Sequence, residues 1–339
     1  MKERNISLDL LRILACMMVV LMHSPMPSPS ASGPFLSAMS YMTAPSIGLF
    51  FMVSGALLMP VKTDYFTFLG RRFSKIVVPT LVWSLIYIGL NLYESNSEIN
   101  LLQQLASLPF SNQGSGVLWF MYTLAGLYLL APILSVWARQ ATKRELQFVL
   151  GMWAITMCYP IIQFAGLITN TSTTGILYYF GGYAGYFLLG YYLRRFPDSI
   201  SAAASWGVAA IGVVLLLILK YFNLPFDFYR LFWYESIFIA ALAAAIWRTV
   251  NYLSQQISRP LLRYISGIEV ISNVAFGVYL VHILIMRHWL WTQSWILEIH
   301  NYIIQTLIVA ILTLVFSVIF CVMVCRLPGA QWLIGYRRR

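Results

Sequence analysis

Long apolar runs separated by short polar segments extend along almost the whole chain. A helix that spans a membrane needs about 20 mostly apolar residues. Ten segments come close enough to this pattern to qualify. They are 7–25, 40–60, 76–93, 116–138, 146–166, 176–193, 202–219, 231–247, 271–286 and 301–325. The pattern predicts an all-α, polytopic integral membrane helix bundle of about ten transmembrane helices.

The composition agrees with a membrane environment. Sixty per cent of the residues are apolar and 10% are charged, whereas a soluble domain carries about 25% charged residues. The net charge of +11 comes from basic residues that lie between the apolar runs. This distribution is typical of topology signals and of contacts with anionic lipid. We therefore expect membrane lipids as partners, and no nucleic acid.

The basic residues also predict the orientation of the chain. With the N-terminus inside, the cytoplasmic segments hold 18 of the 22 Lys and Arg residues. Lys220, Arg230 and Arg287 fall in outer segments, and Arg12 lies within a span. This bias follows the positive-inside rule and predicts that both termini are cytoplasmic. Because the loops are short, we expect one transmembrane domain over 1–339, and the sequence carries no signal for an oligomeric state.

The first predicted span contains three ionisable residues. Asp9 and Arg12 are three residues apart and can pair on one helix face. His23 follows Arg12 at almost three whole turns, so both share a face at roughly 16 Å along the axis. Such residues are costly within a membrane and often mark function. The structural alternatives are an interfacial ion pair and a histidine that is hydrogen-bonded to a neighbour.

Further polar residues lie in or near later spans. Tyr279 and His282 are three apart in the ninth span, and Glu235 lies in the eighth, near its outer end. Each of them fits either a functional site or a structural hydrogen bond. The four cysteines lie in apolar runs without metal-ligand spacing, so we expect them to pack and expect no metal. They are Cys16, Cys158, Cys321 and Cys325.

The first cytoplasmic loop is predicted to hold a basic cluster. It contains Arg71, Arg72 and Lys75, of which Arg72 and Lys75 are three apart and could face the same way at the start of a helix. Such residues bind lipid head groups or the phosphates of a nucleotide-like ligand. The chemistry alone favours lipid.

Several of these residues belong to a recognisable series. Asp9-Leu-Leu-Arg12, ten intervening residues and His23 resemble the first-helix motif of the acyltransferase-3 family, which are membrane acyltransferases of bacterial envelope glycans. Five other segments resemble family motifs in the same order. They are Phe50-Phe-Met-Val-Ser54-Gly55, Arg71-Arg72-Phe-Ser-Lys75-Ile-Val-Val-Pro79, Leu118-Trp119-Phe120 with Pro132, Phe187-Leu-Leu-Gly190 and Tyr279-Leu-Val-His282. The resemblance covers most of the chain and is greatest to the small single-domain members.

The resemblance implies an O-acetyltransferase of the bacterial inner membrane. The donor would be cytoplasmic acetyl-CoA, and the acceptor a hydroxyl of an envelope glycan or lipid-linked sugar, as in lipopolysaccharide or exopolysaccharide modification. The basic loop would bind the donor phosphates. The family loop often reads Arg-x-x-Arg, and here Lys75 takes the second place, which supplies charge without a bidentate fork.

The resemblance also implies roles for the polar residues within the membrane. His23 would be catalytic, as a general base or as an acyl carrier, together with Arg12 and Asp9. Ser54, Tyr279 and His282 are candidates to stabilise the oxyanion, and Glu235 is a further supporting residue.

Two other classes of function use the same residues differently. A transporter or flippase of a lipid-linked glycan would use the polar stripe as a substrate or proton path. It has no need of a site for CoA phosphates, so the basic loop disfavours it. A purely structural membrane subunit is disfavoured because packing alone does not require Arg12 and His23.

Overall fold

The computed structural model describes residues 5–27, 33–94, 101–108, 110, 116–168, 175–256 and 265–338. Across these ranges the regular structure is helical, with no β-strand. The α-helices are α1 (Ile6–His23), α2 (Gly33–Thr43), α3 (Pro45–Leu58), α4 (Tyr65–Glu94), α5 (Leu101–Ser107), α6 (Trp119–Gln140), α7 (Lys143–Met157), α8 (Tyr159–Phe164), α9 (Ala184–Arg195), α10 (Ala202–Tyr221), α11 (Phe228–Leu231), α12 (Ile237–Gln255), α13 (Ile265–His288), α14 (Ser294–Leu297), α15 (Tyr302–Val324) and α16 (Ala330–Ile334).

Nine helical segments in the described part of the chain are long and apolar enough to cross a membrane. They are Ile6–His23, Gly33–Leu58, Tyr65–Glu94, Gly116–Gln140, Lys143–Phe164, Ala202–Tyr221, Ile237–Gln255, Gly267–Thr292 and Tyr302–Val324. Each corresponds to one of the segments predicted from hydropathy. The protein is thus a polytopic, all-helical membrane protein, as predicted, while the cytoplasmic location of its termini stays a prediction.

The predicted span over 176–193 differs from the others. Its helix, α9, has 12 residues and is only about 18 Å long. Gly182 has a φ of +77°, a left-handed conformation that separates α9 from the 3-10 turn before it. All residues from Gly185 to Leu193 are buried within the protein. The apolar character of this segment therefore reflects burial against other helices rather than a full-length span.

Two helices begin at positions that differ from the prediction, and this changes where the basic cluster and Glu235 lie. Helix α4 begins at Tyr65, so the basic cluster lies within a 30-residue helix and not in a loop. Helix α12 begins at Ile237 because the Ser236 side chain accepts a hydrogen bond from the backbone N–H of Phe238. Glu235 therefore precedes the span instead of lying inside it. Of the predicted outer loop 94–115, the structure describes 94, 101–108 and 110, and α5 (Leu101–Ser107) lies within it.

The described residues form two compact units. Unit 1 comprises those of Met1–Met22, Pro27–Met59 and Val136–Ile268, and unit 2 those of His23–Met26, Pro60–Ser135 and Glu269–Arg339. A single domain over 1–339 stays a prediction.

In unit 1, α3 and α9 approach closely at two glycines. A Cβ on Gly55 would lie 1.8 Å from the carbonyl oxygen of Phe187, and one on Gly190 would lie 1.9 Å from that of Met52. Small residues allow membrane helices to pack backbone against backbone in this way. The motifs that end at Gly55 and Gly190 are therefore the two sides of one helix contact.

In unit 2, hydrogen bonds from α4 connect it to the C-terminal helices. The indole N–H of Trp83 donates to the carbonyl oxygen of Leu333 in α16 at 2.8 Å. The Tyr87 hydroxyl donates to the carbonyl oxygen of Leu280 in α13, also at 2.8 Å. These bonds fix α4 against the helix that carries Tyr279 and His282.

Candidate functional site

Two histidines far apart in the sequence meet in unit 2. His23 ends α1, and His282 lies in the last third of α13, six residues before its end at His288. Their ring centroids are 5.2 Å apart, and the ring planes are tilted by 59°. His282 is almost fully buried, whereas His23 is half-buried. The structure therefore places next to each other two histidines that the sequence indicated as separate candidates.

The hydrogen bond of His282 fixes its tautomer. Its Nδ1 lies 2.6 Å from the carbonyl oxygen of Tyr279. A carbonyl oxygen can only accept, so Nδ1 carries the proton and donates. In the neutral ring, Nε2 then presents a lone pair. This Nε2 atom is buried and has no hydrogen-bond partner among the described residues.

Tyr279 orients this pair without offering its own hydroxyl. The hydroxyl donates to the carbonyl oxygen of Val117 at 2.7 Å. The ring packs against Phe120 at a centroid distance of 5.4 Å and against His282 at 5.6 Å. The Tyr279 proton is thus directed at the backbone. The suggested role of Tyr279 as an oxyanion donor stays a prediction.

The basic cluster occupies the first third of α4, also in unit 2. Arg71 and Lys75 are exposed, and the half-buried Arg72 places its guanidinium over the Phe68 ring at 5.8 Å. This contact holds one charge at the helix surface while it stays accessible. The three side chains fit the binding of phosphate groups at this end of α4.

Pro79 and Gly335 explain why the C-terminal segment lies beside this cluster. Pro79 has no N–H, so the helix cannot satisfy the carbonyl four residues earlier, that of Lys75. A Cβ on Gly335 would lie 2.7 Å from this same carbonyl oxygen. Gly335 also has a φ of +68°, which favours glycine. The chain after α16 can therefore pass directly over the basic part of α4.

The C-terminal arginines are the residues that sequence reasoning missed. The backbone N–H of Arg338 donates to the carbonyl oxygen of Cys325 at 2.9 Å, which holds the segment after Gly335 against the end of α15. Arg337 and Arg338 thus follow directly on the contact with Lys75. Their distance from Lys75 in the sequence hid this proximity, and the sequence offered only a glycine at position 335 as a signal.

Helix α4 also links the basic cluster to the histidine pair. Lys75 and Tyr87 are twelve residues apart, about 18 Å along the helix. Tyr87 donates to Leu280, two residues before His282. A ligand with phosphates at one end and a reactive group on a long flexible arm matches this separation.

The other predicted site residues lie in unit 1. Arg12 Nη1 is 3.8 Å from Asp9 Oδ1, with Asp9 buried and Arg12 partly exposed, so the predicted pair on α1 is present. Ser54 is half-buried on α3 beside the close contact at Gly55. Its suggested oxyanion role stays a prediction.

Glu235 lines a cavity of about 740 Å³ in unit 1. Its side chain is accessible from the cavity, while the protein around it raises the pKa of the carboxyl above its usual value through desolvation. Within the described ranges, no group of three or more His, Cys, Asp and Glu residues is arranged to hold a metal ion.

Comparison with known proteins adds one match. Residues 5–324 match the family model described as an acyltransferase domain, acyltransferase-3. No curated protein and no solved structure matches the chain.

Proposed function

Because the chain belongs to the acyltransferase-3 family, we propose that this membrane acyltransferase is an O-acetyltransferase of the bacterial inner membrane. The donor is cytoplasmic acetyl-CoA. The acceptor is a hydroxyl of a cell-envelope glycan or of a lipid-linked sugar. The family match supports acyl transfer, and the choice of acetyl, of CoA and of a glycan is our proposal.

The observation that carries the proposal is the arrangement within unit 2. The His23–His282 pair provides a base beside the buried His282 ring, and α4 carries its basic residues about 18 to 24 Å from Tyr87, which donates to the carbonyl oxygen of Leu280, two residues before His282. In acetyl-CoA, the phosphates and the thioester are joined by the flexible pantetheine arm. Arg71, Arg72 and Lys75, with Arg337 and Arg338, would hold the phosphates while the thioester reaches the histidines.

In the proposed reaction His23 acts as the general base. It takes the proton of the acceptor hydroxyl as the oxygen attacks the thioester carbonyl. The tetrahedral intermediate then expels the CoA thiolate, which receives that proton and leaves as free CoA. A new ester bond joins the acetyl group to the sugar oxygen. The family motif gives the Asp9–Arg12 pair a part in the reaction, which we keep as part of the proposal.

A covalent route uses the same residues in two steps. His23 would attack the thioester itself, release CoA and carry the acetyl group as an acyl-imidazole. The acceptor hydroxyl would then displace the imidazole. Intact-protein mass spectrometry after incubation with acetyl-CoA alone separates the routes, because only this route adds an acetyl group to His23.

The neutral tautomer of His282 suits a positioning role. Its Nδ1–H is bonded to the Tyr279 carbonyl, so its Nε2 can accept a hydrogen bond but not donate one. It can therefore hold the N–H of His23 or the acceptor hydroxyl. It would not stabilise an oxyanion, for which a donor is needed.

Mass spectrometry of the envelope glycans, with and without the gene, tests the proposal. We expect the acetyl mass to disappear on deletion and to return with the wild-type gene, but not with the His23→Ala gene. Unchanged acetylation on deletion would contradict the proposal. Loss of the exported glycan with normal acetylation of its lipid-linked precursor would instead indicate a transporter.

A further inference from the structure

The cavity in unit 1 combines side chains that the proposed chemistry does not use. Its volume is about 740 Å³, within the range of roughly 300–1,000 Å³ that is usual for small-ligand sites. Polar side chains and two tyrosines are among the groups that line it. The lining residues that bear on a ligand are Thr156, Gln163, Tyr178, Gly182, Arg230 and Glu235.

The charges of the cavity are balanced. Glu235 contributes a carboxyl group and Arg230 a guanidinium, and the guanidinium donates to the side-chain oxygen of Gln163. The carboxylate would repel a phosphate, and the guanidinium would repel a cation. A neutral ligand with many hydroxyls suits both, because each hydroxyl both donates and accepts.

The walls of the cavity are fixed by hydrogen bonds. The indole N–H of Trp153 donates to the carbonyl oxygen of Gly182 at 2.9 Å. The Tyr186 hydroxyl donates to the carbonyl oxygen of Tyr234 at 2.6 Å, directly before Glu235. Both bonds hold the backbone on either side of the carboxylate. The backbone beside the carboxylate is therefore held in place before any ligand arrives, which lowers the entropic cost of binding.

Gly182 keeps one wall of the cavity open beside the carboxylate. Its φ of +77° is a conformation that other residues rarely adopt, and a Cβ there would lie 3.8 Å from Oε1 of Glu235. The half-exposed ring of Tyr178 offers an apolar face with a polar tip. Flat faces of this kind suit the C–H face of a sugar ring, while the carboxylate and guanidinium suit its hydroxyls.

The residue before Glu235 contacts α1 within unit 1. The hydroxyl of Tyr234 donates to Sδ of Met22 at 3.5 Å. Gln163 and Arg230 lie at the ends of segments that the basic bias predicts to face outward, the side on which a lipid-linked sugar is presented.

We propose that this cavity binds a neutral sugar unit of the acceptor, with Glu235 and Arg230 as the groups that hold its hydroxyls. The inference rests on the proposed function, from which the class of acceptor comes. The proposed function and the sugar site nevertheless rest on different residues. The donor site and His23 belong to unit 2, and the sugar site belongs to unit 1.

Saturation-transfer NMR on the full-length protein in nanodiscs tests the sugar site. The probes are the methyl glycosides of glucose, galactose, rhamnose and N-acetylglucosamine. We expect at least one to bind the wild type, with an affinity at least tenfold lower in Glu235→Ala and Arg230→Ala and an intermediate loss in Glu235→Gln. Asp198→Asn is the matched control, because this exposed carboxylate pairs with Arg248 away from the cavity and should leave binding unchanged.

Acetyl-CoA binding by the same variants shows that they are folded and separates the two claims. Glycoside binding by none of the four probes, or equal binding by the wild type and by Glu235→Ala and Arg230→Ala, would overturn the sugar site. If acetyl transfer persists in that case, the proposed function stands without it. Binding that depends on Glu235, in a protein that transfers no acetyl group, would overturn the proposed function and leave the sugar site in place.

Discussion

His282 illustrates how one backbone contact sets the chemistry of a side chain. The Tyr279 carbonyl three residues earlier accepts a hydrogen bond from Nδ1–H, which leaves the lone pair on the buried Nε2 of a ring whose centroid lies 5.2 Å from that of His23. The Tyr-x-x-His spacing predicts the first contact, because residues three apart meet on a helix. The contact between the two histidine rings joins residues 259 positions apart within unit 2, so spacing along the chain could not predict it.

His282→Ala should lower the turnover of acetyl transfer by a factor on the order of ten to a hundred. The reason is that His23 or the acceptor loses the partner that orients it. Binding of acetyl-CoA should remain close to that of the wild type. Steady-state kinetics together with the acetyl-CoA dissociation constant measure both quantities.

The exposed His300 provides the control for this variant, since His300→Ala removes the same ring outside the site. A folded His282→Ala protein with wild-type turnover would remove His282 from the mechanism. A parallel loss of donor binding and of thermal stability would indicate a packing role instead.

Substitution of Arg72 tests whether the basic cluster binds the donor. Arg72→Ala should weaken acetyl-CoA binding about tenfold or more, the usual consequence of losing a charge-assisted hydrogen bond. Arg72→Lys should be partly tolerated because it keeps the charge. Titration of purified protein with acetyl-CoA measures the dissociation constant.

Lys62→Ala is the matched control, since Lys62 is exposed and precedes α4. An unchanged dissociation constant in Arg72→Ala would show that the cluster serves lipid or topology rather than the donor.

At the scale of helices, hydropathy predicted the spans better than their ends. The predicted third span began at 76 because charged residues precede that position. The helix α4 nevertheless begins at Tyr65, because a helix tolerates Arg and Lys near a membrane surface. Glu235 was placed inside a span because a hydropathy window does not register the Ser236 cap. The α9 segment was apolar enough to count as a span, but its apolar surface packs against protein.

The contact between α3 and α9 gives a prediction about stability. Gly190→Ala should destabilise the protein by about 1–3 kcal/mol or more, since its Cβ would have to displace the backbone of Met52. Unfolding in mixed detergent micelles, as a function of the mole fraction of sodium dodecyl sulfate, measures the change.

Gly207→Ala in α10 is the control, because no atom lies within 4 Å of its Cβ position. Alanine should there be neutral or stabilising by up to about 1 kcal/mol, through its higher helix propensity. Equal unfolding curves for Gly190→Ala and the wild type would contradict the close packing of the two motifs.

At the scale of the whole molecule, the sequence predicted a helical membrane protein and its family. The arrangement of the candidate sites depends on contacts between residues that are far apart in the sequence. The Asp9–Arg12 pair follows from local spacing and is present. The approach of Gly335 to Lys75 joins residues 260 positions apart and could not be deduced from spacing. The same holds for the cavity around Glu235, which combines side chains from α8, α11 and the turns beside α9 and α12.

Acetyl transfer by the purified protein in proteoliposomes, from labelled acetyl-CoA to an envelope glycan, tests the central claim most directly. The wild type should transfer the label. His23→Ala and His23→Asn should lose turnover by at least roughly a hundredfold, as is typical when a general base is removed, and should still bind acetyl-CoA. The amide of Asn keeps hydrogen bonding without the basicity, so a folded His23→Asn protein with near wild-type transfer would contradict the account.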